Sequence, residues 1–312
     1  MSRRTPAWVP ALREGVGASR VAVHGGPWVD VLEFLVQRFP DTASEWPGRL
    51  LRGEVLNDIG QPVGVGAPAM VGRHLWYWRN PPPEHRVPFE IELLYQDEHL
   101  VVVDKPHFMA VAPVGRHLHE TALVRLRQRL GIDSLAPMHR LDADTAGVLV
   151  FIVQAAERDA YHALLRDRQV HKVYEAIAPW RADLVLPMVC RSRLEQTGGA
   201  DFMQMQSVAG EANAQTLIDL ISRLGTRLAH YRLTPHTGRR HQLRAQMSAL
   251  GLPIVGDRIY PRLWPEPAPG AAPDYSQPLQ LLAREIAFTD PISGQARRFT
   301  SRRQLLACAQ PR

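Results

Sequence analysis

The chain has 312 residues, of which 45% are hydrophobic and 22% charged. That is ordinary globular composition, long enough for two cores, and it excludes a disordered polymer. The net charge of +6, from 37 basic and 31 acidic residues, favours a polyanionic partner without requiring one. Only Lys105 and Lys172 are lysines, so the positive charge is almost all arginine, which grips phosphate bidentately and stacks on bases. Genomic codon bias would produce the same excess and accounts for it more simply. Cys190 and Cys308 lack the spacing of a metal site or a disulfide framework. No run approaches the ~20 apolar residues of a membrane span, and the basic N-terminus lacks the apolar stretch of a signal peptide. A reducing, cytoplasmic location is the expectation, with a monomer as the default state.

Residues 1 to 28 read as a flexible arm rich in Arg, Gly and Pro. Val31, Leu32, Phe34 and Leu35 then recur at helical spacing, and this helix must stop before Pro40. A second helix carrying Leu50 and Leu51 ends at Gly53, followed by short strands at Val55-Leu56 and Leu75–Tyr77. The extended, helix-breaking stretch Asn80-Pro81-Pro82-Pro83-Glu84 reads as a linker. The segments VLEFLVQRFP, GRLLRGEVL and GQPVGVGAPAMVG resemble the small RNA-binding domain first seen in a ribosomal protein. A structural N-terminal cap is the alternative for this region.

A second composition begins near Phe89. Leu100–Val103 is a β-branched strand ending at Lys105-Pro106. Thr121–Leu130 is an amphipathic helix with Thr121 as cap and Gly131 as stop. The turn of PMHRLDADTAGVLVFIV feeds a buried strand, Ala155–Arg168 is a helix, and HKVYEAIAPW is a strand. Residues 181 to 230 mix strands and loops. Gly238–Leu250 reads as a helix ended by Gly251, Pro261–Asp274 as a proline-rich loop, and the C-terminal stretch as a hairpin turning at Asp290–Gly294. Without a regular βαβ repeat, the expected class is α+β with a largely antiparallel sheet.

The segment His139-Arg140-Leu141-Asp142-Ala143-Asp144-Thr145-Ala146-Gly147 is a polar loop set against a strand, where reactive groups are commonly held. From its chemistry alone Asp142 could equally be a turn-capping carboxylate. HRLDADTAGVLVF, however, resembles the signature loop of RluA-type pseudouridine synthases. HKVYEAI and HTGRRHQLRAQMSALGLPIVGDRIY resemble that family's second and third motifs, in the same order and spacing, with YQDEHLVVVDKP ahead of them. The likeness covers roughly residues 89 to 300. Where the family usually has Ser and often has His, this chain has Ala146 and Gln246.

The resemblance implies a catalytic domain over residues 86–312 with a largely antiparallel mixed sheet. It would be preceded by a small α/β RNA-binding-like domain and linker over 29–85 and by the arm over 1–28. It implies Asp142 as catalyst, Arg244 as its ion-pair partner, Tyr174 as the stacking residue and Arg140 as the aid to base flipping. Arg239, Arg240, His241 and Lys172 would contact RNA, or hydrogen-bond within the fold in the case of the first three. The implied substrate is ribosomal or transfer RNA. No cofactor is needed for the isomerisation, and no GxxxxGK[ST] loop argues for a nucleotide.

A carboxylate suits this reaction as a nucleophile on the sugar, or as a base giving a glycal-like intermediate, and the residues do not choose between these routes. Tyr174 offers a flat face for uracil and a hydroxyl for proton transfer; a core aromatic on a strand is its structural alternative. Asp142 and Asp144 could mimic a carboxylate pair, but a short turn does not force them together, and Asp144 reads as a turn former. His117 with His119, and His236 with His241, lack the companions of a zinc site. A non-catalytic RNA binder on the same fold has no use for a buried carboxylate. A glycosidic hydrolase would need a second carboxylate to handle water.

Overall fold

The computed structural model describes residues 8–80, 83–115, 117–196, 198, 203–265 and 271–306. Cys308, Pro81 and Pro82 of the linker, the first seven residues of the arm, and 266–270 of the proline-rich loop lie outside the described residues. The chain divides into two compact units, Met1–Glu84 and His85–Arg312.

The first unit carries β1 (Ser19–Ala22), α1 (Val31–Arg38), α2 (Trp46–Leu51), β2 (Val55–Leu56) and β3 (His74–Tyr77). Its strands form an antiparallel sheet in the order β1-β3-β2. The Asp30 side chain caps α1 by accepting from the Glu33 amide at 2.8 Å, and the Glu33 carboxylate returns a bond to the Val29 amide at 2.7 Å. Val31, Phe34 and Leu35 of α1 pack with Trp46, Leu50, Val55 and Leu75. The flexible arm expected over 1–28 is corrected in part. Ser19–Ala22 pair with Tyr77–His74, and Val16 and Val23 are buried. A four-residue edge strand has too few alternations to stand out in sequence, and its partner lies more than fifty residues away.

The second unit is built on β4 (Glu92–Gln96), β5 (Leu100–Lys105), α3 (Ala122–Leu130), β6 (Ala136–Pro137), β7 (Ala146–Ile152), α4 (Arg158–Arg166) and β8 (His171–Pro179). It continues through β9 (Met188–Gln196), β10 (Met205–Val208), β11 (Ala214–Leu224), β12 (Leu228–Pro235), α5 (Gln242–Ala249), β13 (Leu281–Thr289) and β14 (Ala296–Thr300). These strands make one sheet in the order β10-β9-β11-β12-β8-β13-β7-β5-β4, with β14 on β13 and β6 on β7. Among the described pairs only β13–β7 is parallel, so the unit is α+β with a largely antiparallel sheet.

The strands β5 and β7 are buried throughout because helices cover both faces of the sheet there. Val101, Val103, Leu149 and Phe151 meet Leu123 and Leu126 of α3. Val102, Val148, Val150 and Ile152 meet Tyr161 and Leu164 of α4. Further along, Leu243 and Met247 of α5 pack on Ala176, Ile218, Tyr231 and Leu233. Thr121 caps α3 by accepting from the Val124 amide, and Gly131 ends it at φ 66°. Two expected helices are shorter than their sequence patterns. The first begins as a 3-10 turn at Ala155–Glu157 and stops at Arg166. The second begins at Gln242 rather than Gly238, because His241 takes a left-handed φ of 51° that interrupts helical winding.

Candidate active site

Strand register assembles the site. Ala283 of β13 pairs with Gly147 of β7 on one side and with Tyr174 of β8 on the other. The polar loop that immediately precedes Ala146 is thereby brought next to Tyr174. Gly147 is required for this approach. Its φ is 114°, and a Cβ there would lie 2.2 Å from the Ala283 carbonyl oxygen. The loop itself closes through the Thr145 amide, which donates to the Asp142 carbonyl at 3.1 Å.

Two basic side chains, one at the end of β5 and one just after it, fasten the loop. The buried Lys105 ammonium donates to the carbonyls of Pro106 (2.9 Å), Met109 (2.8 Å) and Ala143 (3.0 Å). Burial pushes its pKa down to about 7, with Asp144 and Asp142 pulling the other way. Three carbonyl acceptors use all three of its N–H groups and so favour the charged form. The His107 ring lies with Nδ1 2.6 Å from the Asp144 carbonyl oxygen. Burial lowers its pKa to about 4, so at neutral pH it is an uncharged donor through Nδ1.

The Asp142 carboxylate is 30% exposed and accepts from Nη1 of Arg244 at 3.1 Å. Arg244, on the first turn of α5, is 2% exposed and is gripped by Asp257, whose two oxygens take Nε at 2.8 Å and Nη2 at 2.7 Å. Asp257 also accepts the amides of Ile259 at 2.8 Å and Tyr260 at 3.0 Å. Burial alone would lower the Arg244 pKa, but the bidentate bond to Asp257 and the surrounding carboxylates raise it. A permanently charged guanidinium thus sits in fixed orientation with one edge aimed at Asp142.

Asp144 corrects its reading as a simple turn former. Its carboxylate lies 3.9 Å from Nη2 of Arg244, so both loop aspartates reach one guanidinium. Burial raises the Asp144 pKa; Arg244 opposes that rise and Asp142 adds to it. Asp142 and Asp144 therefore differ in their contact with the cation, though each is 30% exposed: Asp142 is hydrogen-bonded to Arg244, while Asp144 lies farther off and has its pKa raised by burial.

Tyr174 is half-buried between two cores, and its hydroxyl makes no hydrogen bond among the described residues. Burial, then the nearby Asp142 charge, raises its pKa, so it stays a protonated phenol. His241 turns inward with only 8% of its side chain exposed. Nε2 lies 3.8 Å from Asp142 and Nδ1 lies 3.4 Å from the Tyr260 hydroxyl. Burial lowers its pKa, leaving it neutral, and both ring nitrogens face groups within the fold. Arg140 is exposed beside the loop. Arg239 and Arg240 are exposed as well and donate to the carbonyls of Asn213 (3.1 Å) and Met203 (3.3 Å). Lys172 makes no hydrogen bond or ion pair among the described residues, and burial lowers its pKa. Gln246 does not line the site. Its amide donates to Ser192 Oγ at 2.9 Å and its oxygen accepts from Thr216 at 2.6 Å, tying α5 to the sheet.

Sequence reasoning missed Asp257, Lys105 and His107 as site residues. The signal for Asp257 lay in GDRIY at the end of the third motif. Its partner was not readable without the fold.

The family model described as RNA pseudouridylate synthase matches residues 99–249. The dual-specificity RNA pseudouridine synthase RluA of Haemophilus influenzae is 34% identical over 230 residues, covering 72% of this chain and 96% of that protein. The tRNA pseudouridine synthase C of Pasteurella multocida is 33% identical over 216 residues, covering 66% and 88%. Human RNA pseudouridylate synthase domain containing 1 shares the fold, with a TM-score of 0.57 at 19% identity over 73% of this chain and 89% of that one. The chain belongs to the RluA-type family of pseudouridine synthases and is an RNA pseudouridine synthase.

Proposed function

We propose that this enzyme converts specific uridines of structured ribosomal or transfer RNA to pseudouridine, with Asp142 as the catalytic residue and without a cofactor. The observation that carries this is the Asp142–Arg244–Asp257 chain: a partly open carboxylate bonded to a buried cation whose other edge is fully occupied. The bond from ribose to the uracil nitrogen breaks, the base turns, and a new bond forms to a ring carbon, which gives up its proton while the freed nitrogen takes one up. The isomerisation is neutral overall. Asp142 attacks the sugar or removes a ribose proton; Tyr174 stacks on the uracil and holds a proton within reach of the base. Arg140 supports the flipped nucleotide, whose extrusion costs a few kcal/mol. Lys172, Arg239 and Arg240 contact the RNA backbone. The names of the two relatives, one a dual-specificity RNA enzyme and the other a tRNA enzyme, favour these substrate classes.

The first unit adds a further RNA contact in this reading. It holds a cavity of about 520 Å³ lined by Arg13, Arg49, Arg52, Arg79 and Trp78, with Glu45 and Glu54 among the other lining residues. The Arg13 guanidinium lies over the Trp78 ring at 3.6 Å, a cation–aromatic surface suited to nucleic acid. As for setting, no helix among the described residues is long and apolar enough to cross a membrane.

The test is pseudouridine mapping of total RNA from cells with and without the gene. Sites should vanish on deletion and return with the wild-type protein but not with Asp142→Asn, which should slow the reaction roughly 10²–10⁴-fold or more. Normal modification by Asp142→Asn would remove Asp142 from the chemistry.

A further inference from the structure

Next to the carboxylate loop, on the segments that hold it, lies a ladder of rings and one guanidinium that the reaction itself does not use. Phe89 stands partly buried on the core below α3. Phe108 stacks on it with centroids 6.2 Å apart at 24°, and Tyr275 meets both rings edge-on at 5.6 and 5.2 Å. The Arg258 guanidinium then lies 5.8 Å from the Phe108 ring and 5.7 Å from the Trp264 ring. Trp264 closes the series and is 45% exposed.

Three features mark this as a built surface rather than leftover core. Phe108 holds a left-handed φ of 65°, which a bulky side chain rarely adopts and which turns its ring toward Arg258. Arg258 is held in place by the Asp274 carbonyl at 2.8 Å and carboxylate at 3.6 Å, while its buried Nε has no acceptor among the described residues. The Trp264 amide donates to the Arg258 carbonyl at 2.8 Å, fixing the exposed indole to the same turn. Two members of the ladder join the catalytic frame directly. Phe108 follows His107, which holds the Asp144 carbonyl, and Arg258 follows Asp257, which holds Arg244.

The geometry points to a nucleobase-stacking subsite at Trp264 and Arg258, which takes a base of the RNA strand next to the flipped uridine. A base laid on the indole face would add one more flat group to the series, and Arg258 adds positive charge beside the adjoining phosphate. Aromatic faces bind every base, so the subsite supplies grip on an unstacked strand more than sequence readout. When uridine leaves its stack, the neighbouring base loses a stacking face, and Trp264 replaces it. This inference rests on the RNA pseudouridine reading above.

The full-length protein and a fluorescein-labelled 12-nucleotide oligouridylate test it, with total RNA as the substrate for conversion. Trp264→Ala should bind the oligonucleotide roughly 5- to 150-fold more weakly, the equivalent of the ~1–3 kcal/mol that a base–aromatic stack contributes. Trp264→Phe should retain most of the affinity, and Arg258→Ala should weaken binding with a reduced salt dependence. KM for total RNA should rise while kcat changes little, since the contact exists before and during the reaction. An oligonucleotide with abasic sites on both sides of a single uridine should bind wild type and Trp264→Ala alike. Equal affinity of wild type and Trp264→Ala for oligouridylate, with the wild type active on total RNA, would overturn the subsite alone. A wild type that neither binds oligouridylate nor forms pseudouridine would overturn both the subsite and the proposed function.

Discussion

Asp257→Asn isolates what the buried partner of Arg244 contributes. Asp257 is fully enclosed, and one of its oxygens accepts three donors: the Ile259 and Tyr260 amides and Nη2 of Arg244. If the amide oxygen of Asn keeps those three bonds, its NH2 group must take the place of the oxygen that now accepts from Arg244 Nε at 2.8 Å. Two donors would then face each other in a site without water, and the cation would lose its main counter-charge. Removing one partner of a buried ion pair costs about 3–5 kcal/mol. The lower end applies here, because Asp142 at 3.1 Å and Asp144 at 3.9 Å remain beside the guanidinium. About 3 kcal/mol lowers the melting temperature of a unit this size by roughly 6–12 °C. Catalysis should suffer beyond stability, because Arg244 would be drawn toward the loop carboxylates and Asp142 displaced. Thermal melting by circular dichroism, with single-turnover pseudouridine formation well below the melting point, measures both effects. A melting temperature within about 2 °C of wild type, together with unchanged turnover, would refute the argument that Asp257 holds the arginine in place.

Three further outcomes follow from the geometry. Gly147→Ala should prevent soluble expression or destabilise the fold by more than about 3 kcal/mol, since its Cβ would meet backbone that two strands hold in place, and expression with a melting curve checks this. Tyr174→Phe should leave oligonucleotide affinity unchanged and lower kcat by about 10²-fold if the phenol moves a proton, whereas an unchanged kcat would confine Tyr174 to stacking. Glu175 resists burial through His230 at 3.1 Å and a two-bond grip by Arg284, which together bring its pKa from 4.5 down to about 2. A carboxyl depressed in the fold contributes stability that is present above its unfolded pKa and lost as pH falls toward the folded value. Stability should therefore decline between pH 4.5 and about 2, and Glu175→Gln should flatten that limb in acid titrations followed by circular dichroism.

Local physics made much of this protein legible without coordinates. Thr121 before α3 and Gly131 after it signal helix ends through bonds made within a few residues. The apolar runs of β5 and β7 announce strands covered on both faces. The HRLDAD loop, Tyr174 and Arg244 were visible through their resemblance to the motifs of the RluA-type family, not through their chemistry alone. Tertiary structure alone decided how they meet. The parallel pairing of β13 with β7 sets Gly147 level with Tyr174 across strands more than a hundred residues apart in sequence. The same long-range closure put Asp257 behind Arg244, drew Asp144 to the same guanidinium, turned His241 inward and set Lys105 under the loop. It also recruited Ser19–Ala22 of the expected arm into a sheet. Contacts of this kind depend on strand register and on the low dielectric that burial creates, and neither is encoded in any short stretch of residues.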